Sequence, residues 1–457
     1  MKKKLALYLA AVLMLTALTA CVPSSTGNPT TSGAPGSQPS VSGIVDGEKK
    51  VIRFAHTYDP NSESGKGPHE WVTAGIAKFV AENPEYTVEE EYYGMNEIDA
   101  KLMGDHMAGV SHDLVSVNTA QLAEQISSGS LQSMSSYFDA LDADIQADFT
   151  WLNDWENYLA ADGSLMAMPY TLHTRVIAYN KDLFAAAGLD PERPPQTMEE
   201  LIKYAKILTT DDVWGYGTFI GAGRATAEIS FGPFLWNYGG DFLDADNNAT
   251  FASSAGVSAT QFLYDLIYTH KVTPEWALGG DYFTTIRDPF LNGQYAMCDG
   301  VGNFIFNELE EAGMISGAAT PSRDAKTNNI GFFIGPEGSS RYVNGWAFGI
   351  AESCEDPEGA FKLMMCLYDP EVYKIGVGGF PVRQSMFEQD IYQGEFWDVW
   401  KESLSLGRAV APTTTYAMQL CDAVAASVQE CLTSGGNDIE SILQRHQNEY
   451  NRQYGGK

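Results

Sequence analysis

Three side chains suited to binding a polar solute lie close together in the run DGSLMAMPYTLHTRVIAYNKDLFAAAGLD, residues 162–190. They are Tyr170, His173 and Arg175. An aromatic ring can stack on the apolar C–H face of a sugar, and planar polar side chains can hydrogen-bond to pairs of hydroxyl groups. Residues of these types can bind a solute through stacking and hydrogen bonds.

The same run contains the boundaries of the elements that must hold these side chains. LMAMPY is a short apolar run that Pro169 is expected to stop, and RVIAYN predicts a strand that ends at Asn180. KDLFAAAGL predicts a short helix with Gly188 at its C-terminal end, and Thr197 with Glu200 predicts a capping box that begins the next helix. The chain therefore passes here from one α/β unit to another, and a polar and aromatic crossover of this kind would line a cleft.

Upstream of this run, the pattern alternates between strands and helices. VIRFAH, YTVEEEYY and DLVSV predict strands, and HEWVTAGIAKFVAEN predicts a helix after the first of them. Alternation of this kind is typical of βα units around a largely parallel sheet, in which ligands collect at the carboxyl ends of the strands. Tyr58 and Asn118 follow the first and third strands, and they become candidate ligand contacts.

Composition limits the classes of partner. The chain of 457 residues is long enough for two or more domains, and its 28 Lys and Arg against 59 Asp and Glu give a formal charge of −31. Nucleic acids and anionic membrane surfaces select for positive fields. We therefore expect no nucleic-acid partner, and a neutral or cationic ligand fits the net charge better.

The N-terminus predicts export and anchoring. MKKK is followed by the apolar stretch LALYLAAVLMLTALTA, and LTAC at 18–21 resembles a bacterial lipobox, in which Cys21 is acylated. An ordinary secretory signal cut near Ala20 is the alternative. We expect a signal peptide at 1–20 and a lipidated Cys21 with a flexible tether at 21–48, which would hold the protein on the extracellular face of the cell membrane.

The remaining cysteines show no close pairs at metal-ligand spacing, so they predict buried free thiols rather than a disulfide framework. They are Cys298, Cys354, Cys366, Cys421 and Cys431.

A longer series of motifs resembles a known family. GSLMAMPYTLHTRVIAYNKDLFAAAGLDPERPPQTMEELIKYAKILT is similar to the family 1 extracellular solute-binding proteins of ABC importers, which include maltose- and oligosaccharide-binding lipoproteins. FLWNYGGDF, FLNGQYAMCDG, NGWAFGIAESCEDPEGAFKLM and GGFPVRQSM continue the resemblance in the family's order. It covers essentially everything after the tether.

The resemblance implies an α/β, periplasmic-binding-protein-like fold, in which two α/β lobes joined by three hinge crossovers close on a ligand cleft. Lobe 1 is expected at 49–171 with a return segment at about 346–378, and lobe 2 at 172–345 with a C-terminal segment at about 383–457. The hinges are expected near residues 170–175, 343–346 and 378–383.

The resemblance also suggests ligand contacts. His173 aligns with an acidic contact of some sugar-binding relatives, and as a neutral imidazole it offers one donor and one acceptor; a partly exposed hinge residue is equally compatible. Where many relatives carry a Trp after the CDG motif, this chain has Gly302 and Asn303. A core role is the alternative for Trp346 and Trp236, and a solvated strand end for Arg175. The candidate ligand contacts are Tyr58, Asn118, Tyr170, His173, Arg175, Trp236, Asp299, Trp346 and Arg383.

The expected function is that of a monomeric, lipid-anchored receptor that captures a mono- or oligosaccharide and presents it to an ABC permease and its ATPase. Such capture needs no covalent chemistry, so we expect no catalytic residue, no metal ion and no cofactor. Two alternatives stay open. The same fold could bind a peptide, polyamine, metal or phosphorylated solute, and a surface-anchored glycoside hydrolase with two carboxylates would be a protein of another class.

Overall fold

The computed structural model describes residues 49–62, 65–95, 97–110, 112–150, 155–336 and 339–456. The predicted signal peptide, the lipidated Cys21 and the tether lie outside the described residues. Among the helices in these ranges, none has the length and apolar character needed to cross a membrane. The part from Lys49 to Lys457 is one compact unit.

The strands are β1 Lys50–His56, β2 Tyr86–Tyr92, β3 Leu114–Asn118, β4 Leu131–Gln132, β5 Ala167–Asn180, β6 Met297–Gly302, β7 Ile315–Ser316, β8 Lys326–Thr327, β9 Ile330–Phe333 and β10 Val343–Ala351.

The α-helices are α1 Lys66–Glu82, α2 Ile98–Ala108, α3 Leu122–Ser128, α4 Ser135–Phe138, α5 Ala143–Phe149, α6 Lys181–Ala186, α7 Met198–Leu208, α8 Gly232–Asn237, α9 Ser254–Tyr268, α10 Asp288–Leu291, α11 Phe306–Glu311, α12 Pro357–Leu367, α13 Pro370–Tyr373, α14 Gln384–Phe387, α15 Glu395–Ser405, α16 Ala417–Thr433 and α17 Ile439–Tyr454. Short 3₁₀ segments occupy Thr119–Gln121, Trp155–Tyr158, Glu275–Leu278, Asn303–Ile305 and Asp390–Tyr392, and π-helical turns occupy Thr226–Phe231 and Phe283–Arg287.

The main sheet has the strand order β2-β1-β3-β10-β5-β6, with β4 paired to β10 and β9 paired to β5. β1 pairs in parallel with β2 and β3, as the βα alternation predicts. β10 runs antiparallel to both β3 and β5, and β5 runs antiparallel to β6 and β9. β7 and β8 form a separate two-stranded sheet.

β5 connects two parts of the sheet in one continuous strand. Its first half pairs with β10, and its second half pairs with β6 and β9. The prediction that Pro169 stops the strand is wrong, because β5 runs through it. Proline has no N–H to donate to the ladder, and β10 shifts register between Trp346 and Ala347, opposite this position.

The helices that flank β5 begin and end as predicted. The Asn180 side chain accepts a hydrogen bond from the backbone of Leu183 at 3.1 Å and caps α6, and Gly188 has the positive φ of +78° that suits the end of a helix. Thr197 accepts a hydrogen bond from the Glu200 backbone at 3.1 Å and begins α7. The Glu200 carboxylate reaches back to the Gln196 backbone rather than to Thr197.

Two hydrophobic clusters form the core. The first contains the buried faces of β1, β3 and β10 and continues through Phe306 and Trp400. The second is built around the buried faces of α7, α9 and α16. The five cysteines of the described residues are buried and unbridged, which confirms the prediction of free thiols.

Candidate functional site

A cavity with about 500 Å³ of empty space, counting the part open to solvent, lies where β10 begins. Small-molecule sites are usually concave, with a mainly apolar wall and a few polar groups, and the lining of this cavity has that character. The lining residues are Thr119, Ala120, Leu122, Asn157, Tyr158, Glu228, Tyr342, Val343, Asn344, Ala409, Val410, Pro412, Ala417, Met418 and Cys421.

Three chain segments cross beside one another next to this cavity. Leu172 of β5 exchanges backbone hydrogen bonds of 3.1 and 2.8 Å with Phe380, and it pairs with Gly345 of β10 on its other side. A Cβ atom at Gly345 would lie 2.1 Å from the carbonyl oxygen of Thr171, so only glycine fits this crossing. The three segments that the resemblance implies as hinges are therefore neighbours in space.

His173 belongs to a polar cluster at this crossing. Its Nδ1 accepts a hydrogen bond from the Asn303 amide at 3.3 Å, and its register partner in β10 is Asn344, which lines the cavity. Burial and the neighbouring charge of Arg175 lower the pKa of His173 to about 3, so the imidazole is neutral at physiological pH. The side-chain oxygens of Asn303 and Asn344 are buried, and neither has a hydrogen-bond partner within the described part of the chain.

Arg175 lies two residues further along β5. Its guanidinium carbon is 4.5 Å from the ring centroid of Phe304 and 6.0 Å from that of Tyr342. One Nη1 hydrogen bond of 3.2 Å goes to the carbonyl oxygen of Thr174, while Nε is buried and has no acceptor among the residues described. Burial lowers the pKa of Arg175.

Glu228 brings a carboxyl group to the cavity wall from the π-helical turn Thr226–Phe231. Burial raises the pKa of Glu228, whereas the charges of Arg175 and Arg224 and a hydrogen bond from Tyr342 act in the opposite direction. The cavity wall therefore contains a carboxyl group whose pKa is raised above that of an ordinary glutamate, with a guanidinium group in its field.

Tyr58, Tyr170 and Trp346 lie in the core beneath the crossing. Tyr170 is fully buried, with ring centroids 4.1 Å from Phe348 and 5.5 Å from Trp71. The Tyr58 hydroxyl donates to the carbonyl oxygen of Val377 at 2.8 Å, and Trp346 is only 6% exposed. These rings support the crossing strands from below.

Asn118 lies at the end of β3, directly before the cavity-lining Thr119. Its side chain accepts a hydrogen bond from the Ala120 backbone at 2.9 Å and caps the 3₁₀ segment. Its own backbone N–H donates to Asp99 at 3.2 Å. Asn118 therefore shapes the loop that enters the cavity.

Asp299 is fully buried, and donors of the protein hydrogen-bond to both of its carboxylate oxygens. Its Oδ1 accepts hydrogen bonds from Arg341 at 2.8 Å and from the Gly300 backbone at 2.7 Å, and its Oδ2 accepts one from Tyr216 at 3.0 Å. A carboxylate that accepts three hydrogen bonds from the protein is typical of a structural ion pair.

Trp236 and Arg383 are also held by neighbouring side chains. Trp236 is 7% exposed in the second core cluster, and its Nε1 donates to Asp241 at 3.4 Å. Arg383 pairs with Asp148 at 2.6 Å and donates to the carbonyl oxygen of Tyr368 at 2.9 Å.

Glu228, Tyr342 and Asn344 were missed in the sequence. The sequence contains a signal for Asn344, since it begins the motif NGWAFGI, which also contains the candidate contact Trp346. Nothing in the pattern around Glu228 indicated a π-helical turn. Within the described ranges, no group of three or more His, Cys, Asp or Glu side chains is arranged to hold a metal ion.

The sequence of this chain is similar to those of bacterial solute-binding proteins. Residues 74–396 match the sequence model of a family described as bacterial extracellular solute-binding protein. The chain is 27% identical over 235 residues to a probable amino-acid ABC transporter periplasmic-binding protein of Sinorhizobium fredii, covering 50% of each. It is 32% identical over 162 residues to the sn-glycerol-3-phosphate-binding periplasmic protein of Shigella dysenteriae, covering 35% of each. The matches thus span half or less of these curated relatives.

Solved structures share the fold over nearly their whole length. A solute-binding protein of Thermotoga lettingae bound with α-D-tagatose matches with a TM-score of 0.71 at 22% identity, covering 88% of this chain and 99% of that one. The sugar-binding protein MalE of Xanthomonas citri matches with a TM-score of 0.71 at 18% identity, covering 88% and 97%. The GacH receptor of Streptomyces glaucescens, solved unliganded and with acarbose, matches with a TM-score of 0.69 at 19% identity, covering 89% and 98%. The predicted periplasmic-binding-protein-like fold with two α/β lobes is confirmed.

Proposed function

Since this chain belongs to the bacterial extracellular solute-binding proteins, we propose that it captures a mono- or oligosaccharide and delivers it to an ABC importer. The family works outside the cytoplasm, and its members bind solutes rather than transform them. Structural relatives solved with tagatose, acarbose and maltose support a sugar as the solute.

One observation carries the proposal: buried polar atoms without partners gather at the crossing beside the cavity. Arg175 Nε is a donor, and the side-chain oxygens of Asn303 and Asn344 are acceptors. Buried polar groups are ordinarily hydrogen-bonded, and a partner that offers both donors and acceptors would satisfy this set. Sugar hydroxyl groups do so, and the rings of Phe304 and Tyr342 supply apolar surface nearby.

Binding and closure would be coupled through the crossing. In this proposal lobe 1 comprises 49–171 and about 346–378, and lobe 2 comprises 172–345 and about 383–457. A ligand that contacts both lobes binds the closed state better than the open one and therefore shifts the equilibrium between them.

The proposal divides the sequence candidates into two groups. His173 and Arg175 would contact the solute, and Asn118 would position the loop at Thr119. The remaining candidates would support the fold through the contacts described above. They are Tyr58, Tyr170, Trp236, Asp299, Trp346 and Arg383.

Anchoring and delivery are further parts of the proposal. Acylation of Cys21 would hold the protein at the membrane, where the closed form would meet a permease driven by an ATPase. Metabolic labelling of whole cells with a fatty-acid analogue tests the anchor, because Cys21→Ser would abolish the label.

Thermal shift of the full chain in mild detergent, against neutral mono- and oligosaccharides, polyamines and peptides, tests the solute. A ligand at 100 times its Kd stabilises the native state by about 2.7 kcal/mol, which raises the melting temperature. We expect a shift with one sugar class that is lost in Asn344→Ala and kept in Asn437→Ala, an exposed asparagine far along the chain. A response to polyamines or peptides alone would replace the sugar by that class.

A further inference from the structure

Arg175 is partly buried, and it is the only arginine of the described residues that has no carboxylate within 4.0 Å. Arg341 pairs with Asp299 at 2.8 Å, and Arg383 pairs with Asp148 at 2.6 Å. For Arg175 the contacts are two aromatic rings and one carbonyl oxygen, that of Thr174.

This absence of a partner is unexpected in so acidic a chain. With 59 Asp and Glu against 28 Lys and Arg, carboxylates are abundant. Arg175 is partly buried and its Nε is fully buried, and a charge withdrawn from water is ordinarily paired, because desolvation without compensation is costly. Burial is also the main cause that lowers the pKa of Arg175, so its surroundings destabilise the charged form.

The geometry around Arg175 keeps the guanidinium in place without neutralising it. The opposing residue in β6 is Gly302, where a Cβ atom would come within 3.2 Å of the Arg175 Cδ. Glycine therefore leaves room for the side chain to lie over Phe304. A guanidinium held over a ring keeps its planar edge of N–H donors available, and this edge matches a carboxylate or phosphate in bidentate fashion.

Glu228 does not form an ion pair with Arg175. The two groups interact electrostatically, yet they form no ion pair within 4.0 Å. Both Glu228 and Tyr342 line the cavity. The Arg175 guanidinium carbon lies 6.0 Å from the ring centroid of the cavity-lining Tyr342, so an anion in the cavity would come near it, beside a carboxyl group whose raised pKa eases its protonation.

We propose, on the basis of the proposed sugar-binding function, that the solute is an acidic carbohydrate whose anionic group is received by Arg175. The shared chemistry is a carboxylate, as in a uronic acid, or a phosphate ester. This inference revises the expectation of a neutral or cationic ligand. That expectation used the net negative charge of the whole chain, whereas the local charge at the proposed site is the positive charge of Arg175.

Isothermal titration calorimetry with matched sugars tests the proposal on the full chain in mild detergent. The pairs are glucose with glucuronate, galactose with galacturonate, and glucose with glucose 6-phosphate, each also as the corresponding disaccharide where the monosaccharide does not bind. We expect the acidic member of a pair to bind at least tenfold more tightly. Preference for the uronates identifies the carboxylate, and preference for the phosphate ester identifies the phosphate.

Variants locate the effect. Arg175→Met keeps the apolar stem over Phe304 and should weaken the acidic member of each pair at least tenfold more than the neutral member, so that the acidic preference is lost. Arg175→Lys keeps the charge without the planar fork, and we expect it to retain part of the preference. Arg193→Met removes an exposed arginine that pairs with Glu200 and should change nothing. Melting temperatures of all variants confirm that they are folded.

The possible failures are distinguishable. If neutral sugars bind as tightly as acidic ones and Arg175→Met leaves the ratio unchanged, the acidic-sugar inference is wrong while the sugar-binding function stands. If no sugar binds, both are wrong. If Arg175→Met weakens neutral and acidic sugars equally, Arg175 supports the site without receiving an anion, and the inference is again overturned.

Discussion

Replacing Asp299 by asparagine separates a structural role from the ligand-binding role that the resemblance implies. The exposed side-chain fractions of Asp299 and Arg341 are 0% and 1%, so Asp299→Asn removes one partner of a fully desolvated ion pair. Removal of one charge from a buried pair ordinarily costs about 3–5 kcal/mol, because the other charge stays buried and unpaired. The hydrogen bond from Tyr216 is also disturbed. We expect the free energy of unfolding to fall by about 3–5 kcal/mol.

Urea unfolding followed by tryptophan fluorescence measures this change, with the slope against urea checked for constancy. Asp390→Asn is the matched control, since its pair with Arg323 is 73% and 67% exposed and should contribute only about 0–1 kcal/mol. The double change Asp299→Leu with Arg341→Met should recover much of the loss, because it leaves no buried charge. If Asp299→Asn unfolds at the same urea concentration as the parent and loses sugar binding, Asp299 is a ligand contact and the structural reasoning fails.

Three further predictions follow from the buried groups. Burial raises the pKa of Asp99 to about 7, from about 3.9 in an unfolded chain, so its destabilising effect grows as pH rises from about 4 to 7. Asp99→Asn should therefore increase the free energy of unfolding by up to about 4 kcal/mol at pH 8 and by almost nothing at pH 4, as urea titrations at the two pH values will show. The cysteines of the described residues are buried, and burial raises the pKa of the Cys298 and Cys421 thiols, so a chromogenic disulfide reagent should label them only after denaturation. Gly345→Ala should reduce stability by about 1–3 kcal/mol and weaken solute binding, since the added Cβ would overlap the Thr171 carbonyl; unchanged unfolding in urea would contradict this.

The sequence predicted the ends of helices and strands well where a side chain caps the element by a hydrogen bond to a nearby backbone N–H. Asn180 ends β5 and caps α6, and Thr197 begins α7, because each side chain hydrogen-bonds to a backbone N–H within a few residues. The same local rule failed at Pro169. Its missing donor is accommodated by the register shift in β10, a strand that lies far away in the sequence.

The site was harder to predict because its groups come together only in three dimensions. Asn303, Asn344 and His173 meet through pairing of β5 with β10 and β6, and Glu228 reaches the cavity from a π-helical turn. An aromatic residue or an aspartate read in isolation does not reveal its partners. Trp346 is buried in the core, and Asp299 is buried and hydrogen-bonded to Arg341, Gly300 and Tyr216. The lack of a carboxylate partner at Arg175 is seen only when Arg175 is compared with the other arginines of the described residues, which all form ion pairs.

The position of these groups on the crossing strands has a consequence for the proposed mechanism. His173 and Arg175 lie on β5, and Asn344 lies at the start of β10, so the groups proposed to hold the solute are on the segments proposed to bend. Hydrogen bonds to the solute would then restrain the crossing itself rather than only a surface of either lobe. Since a ligand shifts a conformational equilibrium only by its differential affinity for the two states, contacts of this kind contribute directly to closure. A solute that leaves Arg175 unpaired would bind without this contribution, which explains how the crossing could select a cargo as well as hold it.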